Sequence, residues 1–309
     1  MPNLTTVTLP AGLTSIPKDA FAGSAKLATV KFGAADANTP GARAVTGNAN
    51  AITLPTGLTS SGQNAFANTA ATAVDLSKVT GLTTIDNYVF KDMTSLTEVK
   101  LPASITTINQ SAFQNDAALK TLSTEEAKAA RDGETTTPAE GTATFGSKLI
   151  SIGNNAFQGT GFTTVDLSKA VGTQASTSGS AQTPATPAQT LSVGSGAFTN
   201  MADLTTVKLP ANANINPTYF GNPTDATDKK LNSITYGTGT GTGTATATIT
   251  LSDATISSTN FSKIKNSTIE IKSSVGSSGI TFTGGVFNGN DTMTTLKLSV
   301  TATNGNNPL

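Results

Sequence analysis

Residues Leu96 to Phe113 read LTEVKLPASITTINQSAF, and this stretch sets the frame for the rest of the chain. Leu96, Val99 and Leu101 mark a short strand whose Val99 and Leu101 share one face while the polar residues between them take the other. Pro102 has no N–H to give to a ladder, so the strand stops there. Ile105 and Ile108 form a second short extended piece, and Ala112-Phe113 forms a buried corner. The same frame fits LTTVTLPAGLTSIPKDAF at Leu4–Phe21, and LTTVKLP recurs at Leu204–Pro210.

Counting tests the frame. Anchor phenylalanines fall at Phe21, Phe66, Phe90, Phe113, Phe157, Phe198, Phe220, Phe261 and Phe287. The intervals Phe66–Phe90, Phe90–Phe113, Phe198–Phe220 and Phe261–Phe287 are each close to one period of ~23 residues. The other four intervals are each close to one such period plus roughly twenty further residues. Five positions before the anchor stand Ile16, Ile85, Ile108, Ile152, Val193, Ile215, Ile256 and Phe282, with Ser61 the exception. Eight positions before it, the first five copies carry Leu13, Leu58, Leu82, Ile105 and Leu149. A fixed period of this size is the signature of a solenoid, in which each unit buries its apolar face only against its neighbours. The expected fold is a β-rich, right-handed stack of about nine to ten units of ~23 residues forming one leucine-rich-repeat-like solenoid over residues 1–309. Parallel strands ~4.7–4.9 Å apart would give a rod or arc of roughly 45 Å, with each anchor ring stacked on the next.

The wide intervals imply four inserts, at about 33–51, 123–144, 168–190 and 222–247. Each is read as entering after the first strand and before the next Ile/Leu pair, so that all would leave from one side, where binding surfaces of arrays tend to lie. Ser123–Gly133 (STEEAKAARDG) has the cap and charge order of a short helix. Gly172–Gln189 is rich in Ser, Thr, Pro and Ala and reads as irregular. Tyr236–Leu251 (YGTGTGTGTATATITL) alternates at period 2 and reads as an extended arm. In Ala73–Lys78 (AVDLSK) and Thr164–Lys169 (TVDLSK) the strand arrives one residue early, which predicts a variant turn with Asp75 and Asp166 pointing outward. Residues 248–309 are degenerate, although Ser267–Ile271, Ile280–Phe282 and Thr295–Val300 still alternate, as expected of terminal repeats and a cap. Met1 leads straight into a repeat with no cap, which suggests that a longer chain begins upstream.

Composition narrows the function classes. The net charge is zero and 12% of residues are charged, which gives no basic field for nucleic acid. No run of 18 apolar residues offers a transmembrane helix. Thr, Ser, Ala, Gly and Asn fill the non-core positions, a composition of strands and tight turns.

The unit LTxVxLPxxLTxIxxxAF resembles the BspA-like leucine-rich repeat family, best over Leu4–Phe21, Leu82–Leu122, Leu149–Leu167 and Thr190–Leu209. The resemblance implies secreted or surface-anchored proteins of bacteria and some protists that act as adhesins. Where many members show a cysteine in the loop after the AF pair, this chain has Gly23, Asn68, Asp92, Asn115 and Gly159 in that loop.

The chain has no His and no Cys, which removes Ser-His-Asp and Cys-His catalysis and a conventional zinc site. Glu125, Glu126, Asp132, Glu134 and Glu140 cluster only within an insert and read as a solvated loop. The run 237–244 lacks the Lys-Ser/Thr of a phosphate loop, and Asn288-Gly-Asn-Asp291 reads as a turn in preference to a calcium loop. No cofactor, metal or catalytic residue is expected. Three classes of function remain. The first is a surface binding protein for a host or matrix protein or another cell. The second is a carbohydrate-binding surface protein, with Tyr236 beside an insert as its candidate platform. The third is a structural spacer or assembly subunit.

Overall fold

The computed structural model describes residues 1–33, 49–124, 139–170, 191–210, 215–216, 219–221, 231, 233–236, 247–251, 255–256, 263–264, 268–273, 281–282 and 287–300. In chain order its strands are β1 (Thr6–Pro10), β2 (Thr29–Gly33), β3 (Ala51–Thr53), β4 (Ala73–Asp75), β5 (Thr84–Ile85), β6 (Glu98–Leu101), β7 (Thr107–Ile108) and β8 (Thr121–Thr124). They continue with β9 (Thr142–Thr144), β10 (Ser151–Ile152), β11 (Thr164–Asp166), β12 (Ser192–Val193), β13 (Phe198–Thr199), β14 (Thr206–Leu209), β15 (Phe220–Gly221) and β16 (Ser233–Tyr236). The last five are β17 (Ala247–Leu251), β18 (Thr255–Ile256), β19 (Thr268–Ser273), β20 (Thr281–Phe282) and β21 (Thr295–Val300). Pairing between these strands is parallel throughout, so the chain winds as a β-solenoid.

A front sheet of ten strands runs β1-β2-β3-β4-β6-β8-β9-β11-β14-β16, and a back sheet of four runs β12-β10-β7-β5. The alternation in each front strand turns one residue of every turn inward in register. Val7, Val30, Ile52, Val74, Val99, Leu122, Ala143, Val165, Val207 and Ile234 form one column along the front sheet. Every member after Val7 is buried, and Ile85, Ile108 and Ile152 form the matching buried column of the back sheet. The period-2 pattern pins this register, because a one-residue slip would turn the whole column to water.

Threonine fixes the spacing between turns. In several turns the Thr that follows the repeat's Leu or Ile donates its hydroxyl to a carbonyl of the preceding turn. Thr97 donates to Thr72 at 2.9 Å, Thr205 to Thr163 at 3.0 Å, Thr106 to Thr83 at 3.1 Å and Thr59 to Thr14 at 3.1 Å. The two DLSK segments make the expected variant turn. In place of the proline stop, Asp75 Oδ1 accepts from the Ser77 N–H, and Asp166 Oδ1 accepts from both the N–H and the hydroxyl of Ser168.

The structure corrects the sequence reading of the inserts. Val30 pairs with Ile52 and Ile52 with Val74, so each neighbour follows after one ordinary period and no extra length is present at 33–51. Leu122 and Ala143 are likewise a single period apart across 123–144. These two segments connect one front strand to the next within turns of ordinary length. What the turns lack is the Ile/Leu pair and the ring, so Phe66 stacks on Phe21 across the gap. The segments therefore do not share the phase of 168–190. That one does separate β11 from β12, and it stretches the step from Val165 to its partner Val207 to nearly two periods. The fourth region, 222–247, contains β16 itself, whose Ile234 pairs with Val207 after little more than one period.

Seven of the nine expected anchor rings, Phe21 to Phe220, are stacked, Phe287 is partly buried against the core and Phe261 lies outside the described residues. From β1 to β14 the front sheet takes eight steps while the rings take six of 5.2–5.7 Å. At ~4.8 Å per strand the sheet is the longer side of the solenoid.

Beyond β16 the front-back alternation resumes in a three-stranded sheet β17-β19-β21 and a two-stranded sheet β18-β20. A parallel bridge from Ile234 to Ile264 connects this region to the front sheet. The extended arm expected over 236–251 ends in β16 and β17, which belong to different sheets. Residues 237–246 lie outside the described residues. So does 125–138, where most of the expected helix falls, and its first two residues, Ser123 and Thr124, belong to β8.

Candidate functional site

The corner around the anchor rings is built from a repeated backbone conformation. Two residues before each of the six rings from Phe21 to Phe198 the chain is left-handed, at Asp19, Asn64, Tyr88, Ser111, Asn155 and Gly196, with φ from 52° to 69°. Two residues after the ring it is left-handed again, at Gly23, Asn68, Asp92, Asn115, Gly159 and Asn200. Asn, Asp and Gly dominate both columns because they tolerate this region where a larger side chain meets its own backbone. The residues expected in the loop after the AF pair are thus the second left-handed column. These two columns were visible in the sequence as Asn/Asp/Gly positions flanking Phe, a signal the periodicity count passed over.

The two reversals present the N–H groups of alternate residues to the next turn. Phe66 donates to the Val89 carbonyl, Asn64 to Asn87 and Asn68 to Lys91, each at 2.9 Å, and the same trio recurs at each ring step from Phe21 to Phe157. The rings stack at centroid separations of 5.2–5.7 Å from Phe21 through Phe66, Phe90, Phe113, Phe157 and Phe198 to Phe220. All are fully buried except Phe21, at the first end. Phe287 is partly buried against the core. Phe145 and Phe162 pack edge-on to Phe157 and were not among the expected anchors.

One residue past the second left-handed column lies a buried one: Ser24, Thr69, Met93, Asp116, Thr160 and Met201. Thr69 and Thr160 donate to the carbonyls of Phe66 and Phe157. Asp116 Oδ1 accepts from the Met93 N–H at 2.7 Å, while Oδ2 and the hydroxyl of Ser24 have no hydrogen-bond partner among the described residues. Burial pushes the Asp116 carboxyl well above the ordinary carboxylate range. The Met93 N–H opposes the rise and the nearby Asp92 charge adds to it. Asn290, three residues past Phe287, has its amide committed to structure. It donates to the Ile264 carbonyl and accepts from the N–H groups of Thr292 and Met293, so 288–291 is the turn expected.

Outside the corner, the front sheet carries charges that are neutralised in place. Lys100 lies 3.2 Å from Glu98, and Lys208 lies 3.5 Å from Asp166. On the corner ridge Lys91 Nζ sits 5.9 Å from the centre of the Tyr88 ring and 3.5 Å from Asp92, whose Oδ1 accepts from Asn115 Nδ2 at 2.8 Å. Gln114 donates to Gln158, which donates to Thr199. Tyr236 closes β16 with its backbone paired to Leu209. Of the acidic residues in 123–144, Glu140 is described; it is exposed and 4.0 Å from Lys120. The other four lie outside the described residues, as does Phe261. Among the described residues no group of three acidic side chains is placed to hold a metal ion, and no helix is long and apolar enough to cross a membrane.

The sequence pattern described as BspA type Leucine rich repeat region matches the chain in six copies over residues 1–42, 42–129 and 141–227. A leucine-rich repeat protein from Bacteroides ovatus is similar at 15% identity over 96% of this chain and 74% of that one, with a TM-score of 0.39. The pneumococcal vaccine antigen PcpA is similar at 14% identity over 96% and 68%, with a TM-score of 0.38. A leucine rich cell surface protein from Faecalibacterium prausnitzii is similar at 17% identity over 96% and 79%, with a TM-score of 0.26. No curated protein matches the sequence.

Proposed function

Because the chain belongs to the BspA-type leucine-rich repeat family, we propose that it is a non-enzymatic binding protein of the cell surface or of the secreted fraction. Its partner is a host or matrix protein or a protein of another cell, met through the repeat faces and the inserted segment. The observation that carries this reading is the ten-stranded front sheet, a long, pre-formed surface held in register from β1 to β16. A solenoid of this kind offers an extended face with little ordering left to do on binding. The in-place neutralisation of Lys100 and Lys208 supports contacts made by hydroxyls and shape, with little long-range steering. The whole array from residue 1 to 309 serves as a single binding unit.

Surface-captured chain exposed to a panel of soluble matrix proteins and to intact host cells tests the reading. Saturable binding to at least one, retained at raised salt, is the expected result. Absence of binding to every protein and cell type in the panel, by folded chain at micromolar concentration, would overturn it. A version with 172–189 replaced by a short turn then separates the inserted segment from the repeat faces as the contact.

A further inference from the structure

We propose that the corner ridge around Tyr88 is a saccharide-binding site, with Tyr88 as its platform and Asp92, Asn115 and Gln114 as hydroxyl partners. The starting observation is conformational. Tyr88 has a φ of 61° in a column otherwise filled by Asp19, Asn64, Ser111, Asn155 and Gly196. A bulky aromatic in the left-handed region is strained, and such strain persists where something else favours the residue. Core packing does not supply that, because Tyr88 is half-buried on the ridge while its neighbour Phe90 fills the core position.

Its surroundings are polar and mutually positioned. Lys91 lies 5.9 Å from the ring centre and is tethered to Asp92, which is fixed in turn by Asn115 on the next turn. Gln114 continues the line through Gln158 to Thr199. A pyranose has an apolar C–H face that packs on an aromatic ring and vicinal hydroxyls that pair with carboxylates and amides, the combination this ridge presents.

The proposal rests on the binding-protein reading, and it fails separately from it. The test is saturation-transfer NMR on the full chain with cellobiose, N,N′-diacetylchitobiose, lactose and mannobiose, repeated on Tyr88→Asn. Asparagine suits the left-handed region, so the variant is expected to melt at the same or a higher temperature while losing at least about tenfold in affinity, equivalent to one decade in Kd. Tyr88→Phe, which keeps the platform, is expected to retain binding. Absence of transfer to all four sugars, undiminished transfer in Tyr88→Asn, or a lowered melting temperature for that variant would each overturn the site. Matrix-protein capture that persists in a chain taking no saccharide would remove this site and leave the broader reading standing.

Discussion

The residue that departs furthest from its surroundings is Asp116, a carboxylate in a buried column otherwise made of Ser, Thr and Met. Its raised pKa has a definite consequence for stability. The folded state holds the proton at pH values where the unfolded chain, with an ordinary carboxylate pKa of about 3.9, has released it. Unfolding is therefore favoured as pH climbs from about 3.9 through the folded pKa, and below about 3.9 both states are protonated and the penalty vanishes. Asp116→Asn keeps an oxygen to accept from Met93 and removes the titration. Thermal melts at pH 4 and pH 8 are expected to show the variant more stable at the higher pH, with the difference closing at the lower one. A constant difference across that range would mean that the carboxyl does not titrate as described. The ring column makes a second prediction. Phe113, stacked on both sides, is expected to lose about 3–5 kcal/mol on replacement by Ala. Phe21, partly exposed at the end of the stack, is expected to lose clearly less. Urea denaturation of the two variants gives the comparison, and equal losses would argue against stacking as the source.

At the scale of the element, the corner depends on how closely successive turns approach. A Cβ built on Gly153 would stand 2.5 Å from the Gln110 backbone nitrogen, and one on Gly194 2.5 Å from that of Asn154. Neither neighbour is a flexible side-chain tip, so the backbones must separate. Gly153→Ala is expected to destabilise by about 1–3 kcal/mol, the usual range for overpacking, whereas Gly12→Ala, with open space around its Cβ, is expected to be near neutral. Chemical denaturation of both variants checks the contrast. The elements themselves were legible where period and chemistry coincide. Val99 and Leu101 before Pro102, Ile108 behind them and the ring at Phe113 could each be placed from spacing alone. The left-handed columns were less legible because their signal is conformational: Asn and Asp there look like ordinary turn residues, and Tyr88 does not fit the pattern at all. The hydroxyl bonds of Thr59, Thr97, Thr106 and Thr205 to the preceding turn could not be known before the register was. The sequence pointed to Tyr236 because it lies beside an insert, and it gave no signal for Tyr88, whose polar neighbours come together only across adjacent turns.

The whole molecule is governed by the mismatch between its two edges. Counting from ring to ring made 33–51 and 123–144 look like additions to a constant unit, because the ring was the strongest signal and its absence was taken for inserted length. Counting from strand to strand shows those turns to be of normal length, with 168–190 the segment that lengthens one. The distinction has a direct test. Residues 172–189 can be replaced by a short turn, because β11 and β12 belong to different sheets and Ala170 already closes a turn on Leu167. Residues 35–47, by contrast, connect β2 to β3, adjacent parallel strands of one sheet. Such a connection needs a crossover of about a dozen residues or more, because the chain must return from the end of one strand to the start of the next. Shortening 172–189 is expected to leave the circular dichroism spectrum and a single cooperative melt essentially unchanged. Replacing 35–47 by a tight turn is expected to detach β1 and β2 from the sheet, because that link joins them to all later strands of the sheet. The loss should appear as an early unfolding phase, with protection from hydrogen exchange lost over residues 6–33 and retained from β4 onward. If both deletions melt like the parent chain, the strand count between Phe21 and Phe66 is wrong and 33–51 is an insert after all.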